Sequence, residues 1–218
     1  MPLSRAFCIP NVQAILFDMD GTLVDSSDSV ARAWRRWARR RKLEEDTVVR
    51  VCQGRPARDT IRLLAPAANI DEEYDFVLAE ELRDAAGTVA VPGAAALLHS
   101  LQVQNVRWAI VTSAAHALAC HRLQLAQLSI PTHLVTVESV QRGKPDPEGY
   151  LLGAKRLAVS PENCLVIEDS PIGIAAGRAA GMRVLGIGDT FARAELETEI
   201  AIEDFQNVVW TDYKLLRR

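Results

Sequence analysis

Five short apolar segments, spread along the chain and each followed by polar or glycine-containing sequence, constrain the fold most strongly. Such segments are typical of parallel strands that helices cover on both faces. Patterns with helical spacing lie between them, and this alternation predicts an α/β protein with an open, doubly wound parallel sheet. The predicted strands span residues 12–17, 106–111, 133–137, 164–167 and 182–187, and the predicted helices span residues 93–104, 116–128, 147–157 and 173–180.

Residues 26–90 interrupt this alternation, because the segment contains no convincing strand. Its pattern indicates several helices, which Pro56 and Pro66 interrupt. We therefore predict a core domain made of residues 1–25 and 91–218, with an α-helical domain inserted at residues 26–90. A chain of 218 residues suits one large domain with a modest insertion.

The first helix of the insertion is rich in arginine. Val30, Trp34 and Trp37 recur at helical spacing and predict a buried face. The remaining positions include Arg32, Arg35, Arg36, Arg39 and Arg40. We expect a solvated basic face rather than a nucleic-acid-binding patch.

Composition narrows the classes of partner and compartment. The net charge of −3 provides no cationic field for a polyanion, so nucleic acid is not expected as a partner. The chain has no stretch of about 18 apolar residues and no secretory signal at its beginning, and so we expect a cytoplasmic protein without a membrane partner. Its 4 cysteines form no C-x-x-C pair, which indicates reduced thiols rather than a disulfide or zinc framework. We expect a monomer.

The most informative motif, D-M-D-G-T, directly follows the first predicted strand. Residues two apart on an extended backbone point to the same side, so Asp18 and Asp20 can face one reaction centre, and Gly21 allows a sharp turn after them. Two such carboxylates suggest a nucleophile and a proton shuttle. Aspartate and glycine also cap ordinary turns, and the motif alone leaves both interpretations open.

Three further polar groups follow later predicted strands. Thr112 and Ser113 precede a predicted helix, where they form either an N-cap or a phosphate cradle. Lys144 lies in a G-K-P-D-P loop that can hold an ammonium against an anion. Glu168 and Asp169 end a buried strand, which is costly unless a cation or hydrogen bonds compensate their charges. Oxygen ligands of this kind favour Mg²⁺ over zinc.

In their order along the chain, these motifs resemble those of the haloacid dehalogenase superfamily, whose core is Rossmann-like. The match comprises D-x-D-G-T at Asp18, the Thr112–Ser113 pair, Lys144 in G-K-P-D-P and E-D-S-P-x-G at Glu168. The chain is most similar to the group of sugar phosphatases, 2-deoxyglucose-6-phosphatases and glycerol-3-phosphatases. Enzymes of that group carry a small helical cap after the first motif.

The resemblance implies a Mg²⁺-dependent phosphatase that hydrolyses small sugar or polyol phosphate monoesters. Asp18 would form an aspartyl-phosphate, and Asp20 would act as the acid and base. The metal ligands would be the side chains of Asp18 and Asp169 and the backbone carbonyl of Asp20, with Glu168 as a further or outer carboxylate. The residues that would hold the phosphoryl oxygens are Thr112, Ser113 and Lys144.

The inserted segment is expected to select the leaving group through a polar loop that contains Arg55 and Arg58, although both arginines also suit a solvated helix start. The main alternative is a sugar phosphate mutase similar to β-phosphoglucomutase. Those mutases carry a histidine where this chain has Val30, which favours hydrolysis. Phosphonoacetaldehyde hydrolysis would need a lysine in the cap, where Lys42 is set among arginines. A non-catalytic sugar-phosphate-binding module is the alternative outside enzymes.

Overall fold

The computed structural model describes residues 6–188 and 201–217. The strands in these ranges are β1 (Phe7–Ile9), β2 (Ala14–Phe17), β3 (Val24–Asp25), β4 (Val89–Ala90), β5 (Arg107–Val111), β6 (Leu134–Val135), β7 (Cys164–Glu168), β8 (Arg183–Ile187), β9 (Ala201–Ile202), β10 (Val208–Thr211) and β11 (Lys214–Arg217). The α-helices are α1 (Ser27–Arg41), α2 (Glu45–Cys52), α3 (Ala57–Leu64), α4 (Ile70–Arg83), α5 (Ala94–Val103), α6 (His116–Leu125), α7 (Glu148–Leu157) and α8 (Pro171–Ala179).

The central sheet has the strand order β6-β5-β2-β7-β8-β9, and all of its pairings are parallel. Helices cover both faces, and successive residues of β2 enter opposite apolar clusters. Ile15 and Phe17 pack into the cluster that contains α5 and α6 residues, whereas Ala14 and Leu16 pack into the cluster with α7. Burial on both faces explains the apolar segments, and the predicted doubly wound α/β fold is confirmed.

Each of the five predicted strands overlaps an observed strand of this sheet, although β6 is reduced to Leu134–Val135. The sequence patterns did not predict a second, antiparallel sheet of order β1-β11-β10. Its strands are at most four residues long. Strands this short show little periodicity, and β1 joins the sheet only through pairing between the two ends of the described chain.

Helices α1 to α4 pack around an apolar cluster of their own, which contains Trp34, Trp37, Val48, Ile61 and Val77. We call residues 26–90 the cap and the remainder the core. The cap joins the core through a short antiparallel ribbon in which Val24 pairs with Ala90. The strand β4 was not predicted, and the domain boundaries themselves stay a prediction.

The arginines of α1 pair mainly with carboxylates of the cap. Arg32 and Arg36 both contact Asp84, and Arg39 contacts Glu45. These ion pairs balance much of the positive charge of the helix. No helix within residues 6–188 and 201–217 has the length and apolar character needed to cross a membrane.

Candidate active site

Three neighbouring strands place polar residues at one edge of the central sheet. Asp18 follows β2, Thr112 follows β5, and Glu168 is the last residue of β7. The order β5-β2-β7 and the parallel pairing bring these carboxyl ends side by side. Ligands of open α/β sheets bind at this edge, where a strand order reverses.

Lys144 links two of the buried carboxylates. Its Nζ donates to Asp18 Oδ1 at 2.6 Å and to Glu168 Oε1 at 2.5 Å. Burial alone would lower the pKa of Lys144, but the charges of Asp18 and Glu168 raise it well above its ordinary value. The ammonium is therefore charged at neutral pH, in contact with the carboxylate expected to be the nucleophile.

Glu168 is completely buried and accepts hydrogen bonds at both carboxylate oxygens. Oε1 accepts from Lys144 and, at 3.1 Å, from the Tyr150 hydroxyl. Oε2 accepts from the backbone N–H of Ser170 at 2.9 Å and from its hydroxyl at 3.0 Å. An added Cβ at Gly173 would lie 1.6 Å from Oε1, so only glycine fits there. These contacts fix the carboxylate that holds Lys144.

Gly21 makes the turn after Asp20 possible. Its φ of +86° lies in the left-handed region, and its N–H donates to the Val24 carbonyl at 2.8 Å. An added Cβ would lie 2.1 Å from Asp169 Oδ2. The absence of a side chain therefore allows the first motif to approach the carboxylate that follows β7.

We expect Gly21→Ala to reduce activity much more than Gly87→Ala. Both positions have positive φ, +86° and +82°, and an alanine at either should cost about 1–2 kcal/mol of backbone strain. Only the Gly21 variant also displaces Asp169, because nothing lies within 4 Å of a Cβ at Gly87. A displacement of this size should lower kcat about 100-fold. Phosphatase assays with matched thermal melts would check this, and equal losses in both variants would contradict it.

The charges at this edge are unbalanced, which bears on metal binding. One carboxylate oxygen from each of Asp18, Glu168 and Asp169 lies within 4.8 Å of the others. Burial raises the pKa of Asp18 to about 7, against the effect of Lys144, and raises that of Asp169 well above its usual range. With all three ionised, the carboxylates around one ammonium leave two negative charges uncompensated, and this repulsion adds to burial in raising the pKa of Asp18 and of Asp169. Oxygen donors with this charge deficit fit a divalent cation such as Mg²⁺.

Asp20 lies in a different hydrogen-bonding environment from Asp18. Its Oδ1 accepts from the Ser26 hydroxyl at 2.7 Å and pairs with Arg122 Nη1 at 2.9 Å. Unlike Asp18, Asp20 is only partly buried. The two carboxylates of the first motif thus have separate partners, as expected if they have separate chemical tasks.

Asp18, Asp20 and Asp169 open onto a cleft of about 190 Å³ between the core edge and the cap. Thr112, Ser113 and Lys144 also line this cleft. Thr112 Oγ1 accepts from the Ala114 N–H at 3.0 Å, which turns the chain before α6. The cleft is smaller than the roughly 300–1,000 Å³ typical of drug-sized ligands, so it suits a small metabolite.

The structure separates the two arginines of the predicted cap loop. Arg55 is exposed and lines the cleft. Arg58 instead pairs with Asp71 and lies over the Tyr74 ring at 4.3 Å, and it does not line the cleft. Lys42 is exposed at the end of α1 and is not among the cleft residues either.

The sequence analysis did not identify four residues of this region. Tyr150 and Ser170 donate hydrogen bonds to Glu168, and Glu81 and Arg122 line the cleft. Tyr150 and Arg122 were included only as parts of predicted helices. A charged residue among the apolar positions of a helix, such as Arg122 between Ala119 and Leu123, was a signal that could have identified one of them.

Comparison with known proteins agrees with this geometry. Residues 12–181 match the haloacid dehalogenase-like hydrolase family. The chain belongs to this family. Hexitol phosphatase A of Escherichia coli (strain K12) is 38% identical over 203 residues, which cover 91% of this chain and 94% of that protein.

Two further relatives extend the comparison. Glycerol-1-phosphate phosphohydrolase 1 of Saccharomyces cerevisiae (strain ATCC 204508 / S288c) is 33% identical, with 88% of this chain and 80% of the yeast protein covered. A hydrolase from Pseudomonas syringae has a similar crystal structure, with a TM-score of 0.78 and 26% identity over 88% of this chain and 94% of that one. Relatives of this haloacid dehalogenase-like chain thus include phosphatases named for hexitol and glycerol phosphates.

Proposed function

We propose that this haloacid dehalogenase-like protein is a Mg²⁺-dependent phosphatase that hydrolyses small sugar or polyol phosphate monoesters. The observation that carries the proposal is the buried Asp18 carboxylate, which Lys144 holds at 2.6 Å at the mouth of a small cleft. The names of the hexitol and glycerol phosphate relatives support this class of substrate.

The reaction has two steps, and Asp18 is the nucleophile of the first. Its carboxylate attacks phosphorus, the bond from phosphorus to the ester oxygen breaks, and Asp20 donates a proton to the departing alkoxide. Water then attacks the phosphorus of the aspartyl-phosphate while Asp20 removes a proton from that water, and the bond from phosphorus to the Asp18 oxygen breaks to release phosphate and restore the carboxylate. The products are an alcohol and inorganic phosphate, and both aspartates return to their starting protonation states.

Lys144, Thr112 and Ser113 hold the phosphoryl group. A carboxylate that approaches a phosphate dianion is repelled by it, and the Lys144 ammonium reduces this repulsion because it contacts Asp18 from within the cleft. The hydroxyls of Thr112 and Ser113, at the end of the neighbouring strand, donate to the equatorial oxygens. Glu168 acts through Lys144, since its four hydrogen bonds fix the position of the ammonium.

Mg²⁺ would be held by the side chains of Asp18 and Asp169 and the backbone carbonyl of Asp20, with Glu168 in an outer position. When bound, the cation supplies positive charge that offsets the charge of the phosphoryl oxygens and of the carboxylates. Arg55 contacts the substrate from the cap, whereas the ion pair with Asp71 supports a role for Arg58 within the cap's own structure. The proposed partner is a small phosphorylated metabolite, and the enzyme acts as a cytoplasmic monomer.

A mutase similar to β-phosphoglucomutase is the second candidate, because it would use the same core residues. Val30 lines the cleft, and by the resemblance to those mutases it stands at the position of their histidine; a valine side chain cannot transfer a proton. The proposal therefore favours water as the phosphoryl acceptor. The third candidate, a sugar-phosphate-binding module without catalysis, leaves the buried contact between Asp18 and Lys144 without a role.

The purified protein should hydrolyse p-nitrophenyl phosphate in the presence of Mg²⁺ and lose this activity in EDTA, with recovery when Mg²⁺ is restored. Release of p-nitrophenol gives the rate. Equal rates with and without EDTA would rule out the metal-dependent mechanism. Incubation with glucose 1-phosphate separates the candidates, because a phosphatase releases inorganic phosphate and a mutase produces glucose 6-phosphate.

A further inference from the structure

Arg122 is a buried arginine that the reaction as described does not use. It lies on α6 of the core and is only 4% exposed, and its Nη1 is 2.9 Å from Asp20 Oδ1. Asp20 must contact the leaving oxygen in order to protonate it. The part of the substrate next to the ester bond therefore lies within reach of the Arg122 guanidinium.

The second terminal nitrogen of Arg122 has no hydrogen-bond acceptor among the residues that the structure describes. It faces Glu81 Oε2 at 3.6 Å, a distance too long for a good hydrogen bond. A buried donor without an acceptor costs about 1–3 kcal/mol. Both side chains line the cleft, and one ligand hydroxyl placed between them can accept from Nη2 and donate to Glu81.

Glu81 belongs to α4 of the cap, and its side chain is 12% exposed. Burial raises the pKa of Glu81, and the charge of Arg122 opposes that effect. The neighbouring cleft wall is largely apolar, with Val30, Val77 and Leu118 among its residues. A donor and an acceptor set together in an apolar wall favour a ligand that has both functions, and a hydroxyl is such a group.

We propose that Glu81 and Arg122 form a hydroxyl-binding pair that selects phosphate esters with a free hydroxyl on the carbon next to the ester carbon. Glu81 belongs to the cap and Arg122 to the core, so the pair is complete only when both domains surround the leaving group. This inference rests on the proposed phosphatase function and narrows its substrate class to polyol and sugar phosphates with that vicinal hydroxyl.

The test compares glycerol 1-phosphate with propyl phosphate, which has the same carbon chain without hydroxyls. In the wild-type protein kcat/KM should be at least about 10-fold higher for glycerol 1-phosphate, because the unsatisfied pair rejects the analogue that lacks the hydroxyls. Glu81→Met removes the acceptor at similar volume and should lower this ratio about 10- to 100-fold, the range for a hydrogen bond to a charged group. Glu81→Gln retains an acceptor oxygen and should give an intermediate ratio.

Glu80→Met is the matched control. Glu80 precedes Glu81 on α4, but it pairs with Arg36 and Arg83 and does not line the cleft, so its loss should leave the ratio as in the wild type. A wild-type ratio near one would overturn the hydroxyl-binding pair, as would equal losses on both esters in the Glu81 variants. If the wild-type protein hydrolyses neither ester nor p-nitrophenyl phosphate, the phosphatase proposal itself fails.

Discussion

Asp18→Asn should abolish turnover, with kcat reduced by about 10⁴-fold or more, while the fold is retained. The amide cannot attack phosphorus, and loss of a nucleophile has effects of this size in enzymes with a covalent intermediate. The side chain keeps its shape, and Lys144 keeps its bond to Glu168. Phosphate release under saturating substrate, with circular dichroism to monitor the fold, would measure both parts of this prediction.

The same variant has an expected effect on stability that depends on pH. Burial raises the pKa of Asp18 to about 7 from an ordinary value of 3.8. Between these values the unfolded chain binds fewer protons at this position than the folded protein, so the wild type loses stability as pH rises through this window. Asparagine does not titrate. The difference in melting temperature in EDTA, taken as variant minus wild type, should therefore be larger at pH 8 than at pH 5.

Asp25→Asn is the control for this substitution. Asp25 lies seven positions after Asp18 but is exposed, and its Oδ1 accepts from the Ser27 N–H, a bond that asparagine can also accept. This variant should turn over substrate like the wild type. Substantial turnover by Asp18→Asn would contradict the assignment of Asp18 as the nucleophile. A comparable loss of activity in Asp25→Asn would show that substitutions in this segment lower activity by disturbing its fold.

Lys144→Met should produce the second largest change, in both stability and activity. Removal of one partner from a buried ion pair leaves the other charge uncompensated, and such substitutions cost about 3–5 kcal/mol. Here two carboxylates, of Asp18 and Glu168, lose the same ammonium. We expect kcat to fall about 10²–10³-fold as well, the usual effect of losing one group that stabilises transition-state charge. Urea denaturation and steady-state kinetics would measure the two effects.

Lys155→Met provides the comparison for Lys144→Met. Lys155 lies on α7, is exposed, and has the same side chain, so the control replaces the same atoms in water rather than in the buried site. Its stability should change by less than about 0.5 kcal/mol. If Lys144→Met were as stable and active as this control, the ammonium would not compensate Asp18 and Glu168.

The sequence predicted the parallel, doubly wound character of the central sheet because that character follows from local patterns. A strand such as β2, buried on both faces, must be apolar at every position from Ala14 to Phe17. The change from apolar residues to Asp18 marks its end in the sequence. Parallel pairing then places such ends at one edge. The strands β1, β10 and β11 were not predicted because they are too short to show a period, and β1 in addition pairs with a distant part of the chain.

Motif positions identified the candidate residues, but their contacts could not be inferred in the same way. The loop that carries Lys144 has no periodicity to indicate where the ammonium points, and only the structure shows it between Asp18 and Glu168. Likewise, Arg55 and Arg58 were equivalent in the sequence. The fold places Arg55 at the cleft and uses Arg58 in an ion pair within the cap.

The sequence by itself determined the class of fold and the residue types available for phosphoryl transfer, because burial on two faces and adjacent carboxylates can be recognised in short segments of sequence. Only the tertiary structure decided which charges meet. The hydrogen bonds from Lys144 and Tyr150 to Glu168 and the approach of Arg122 to Asp20 and Glu81 each depend on contacts between separate elements. The energies of such contacts depend on distance and burial in the folded chain, which a local pattern of residue types does not encode.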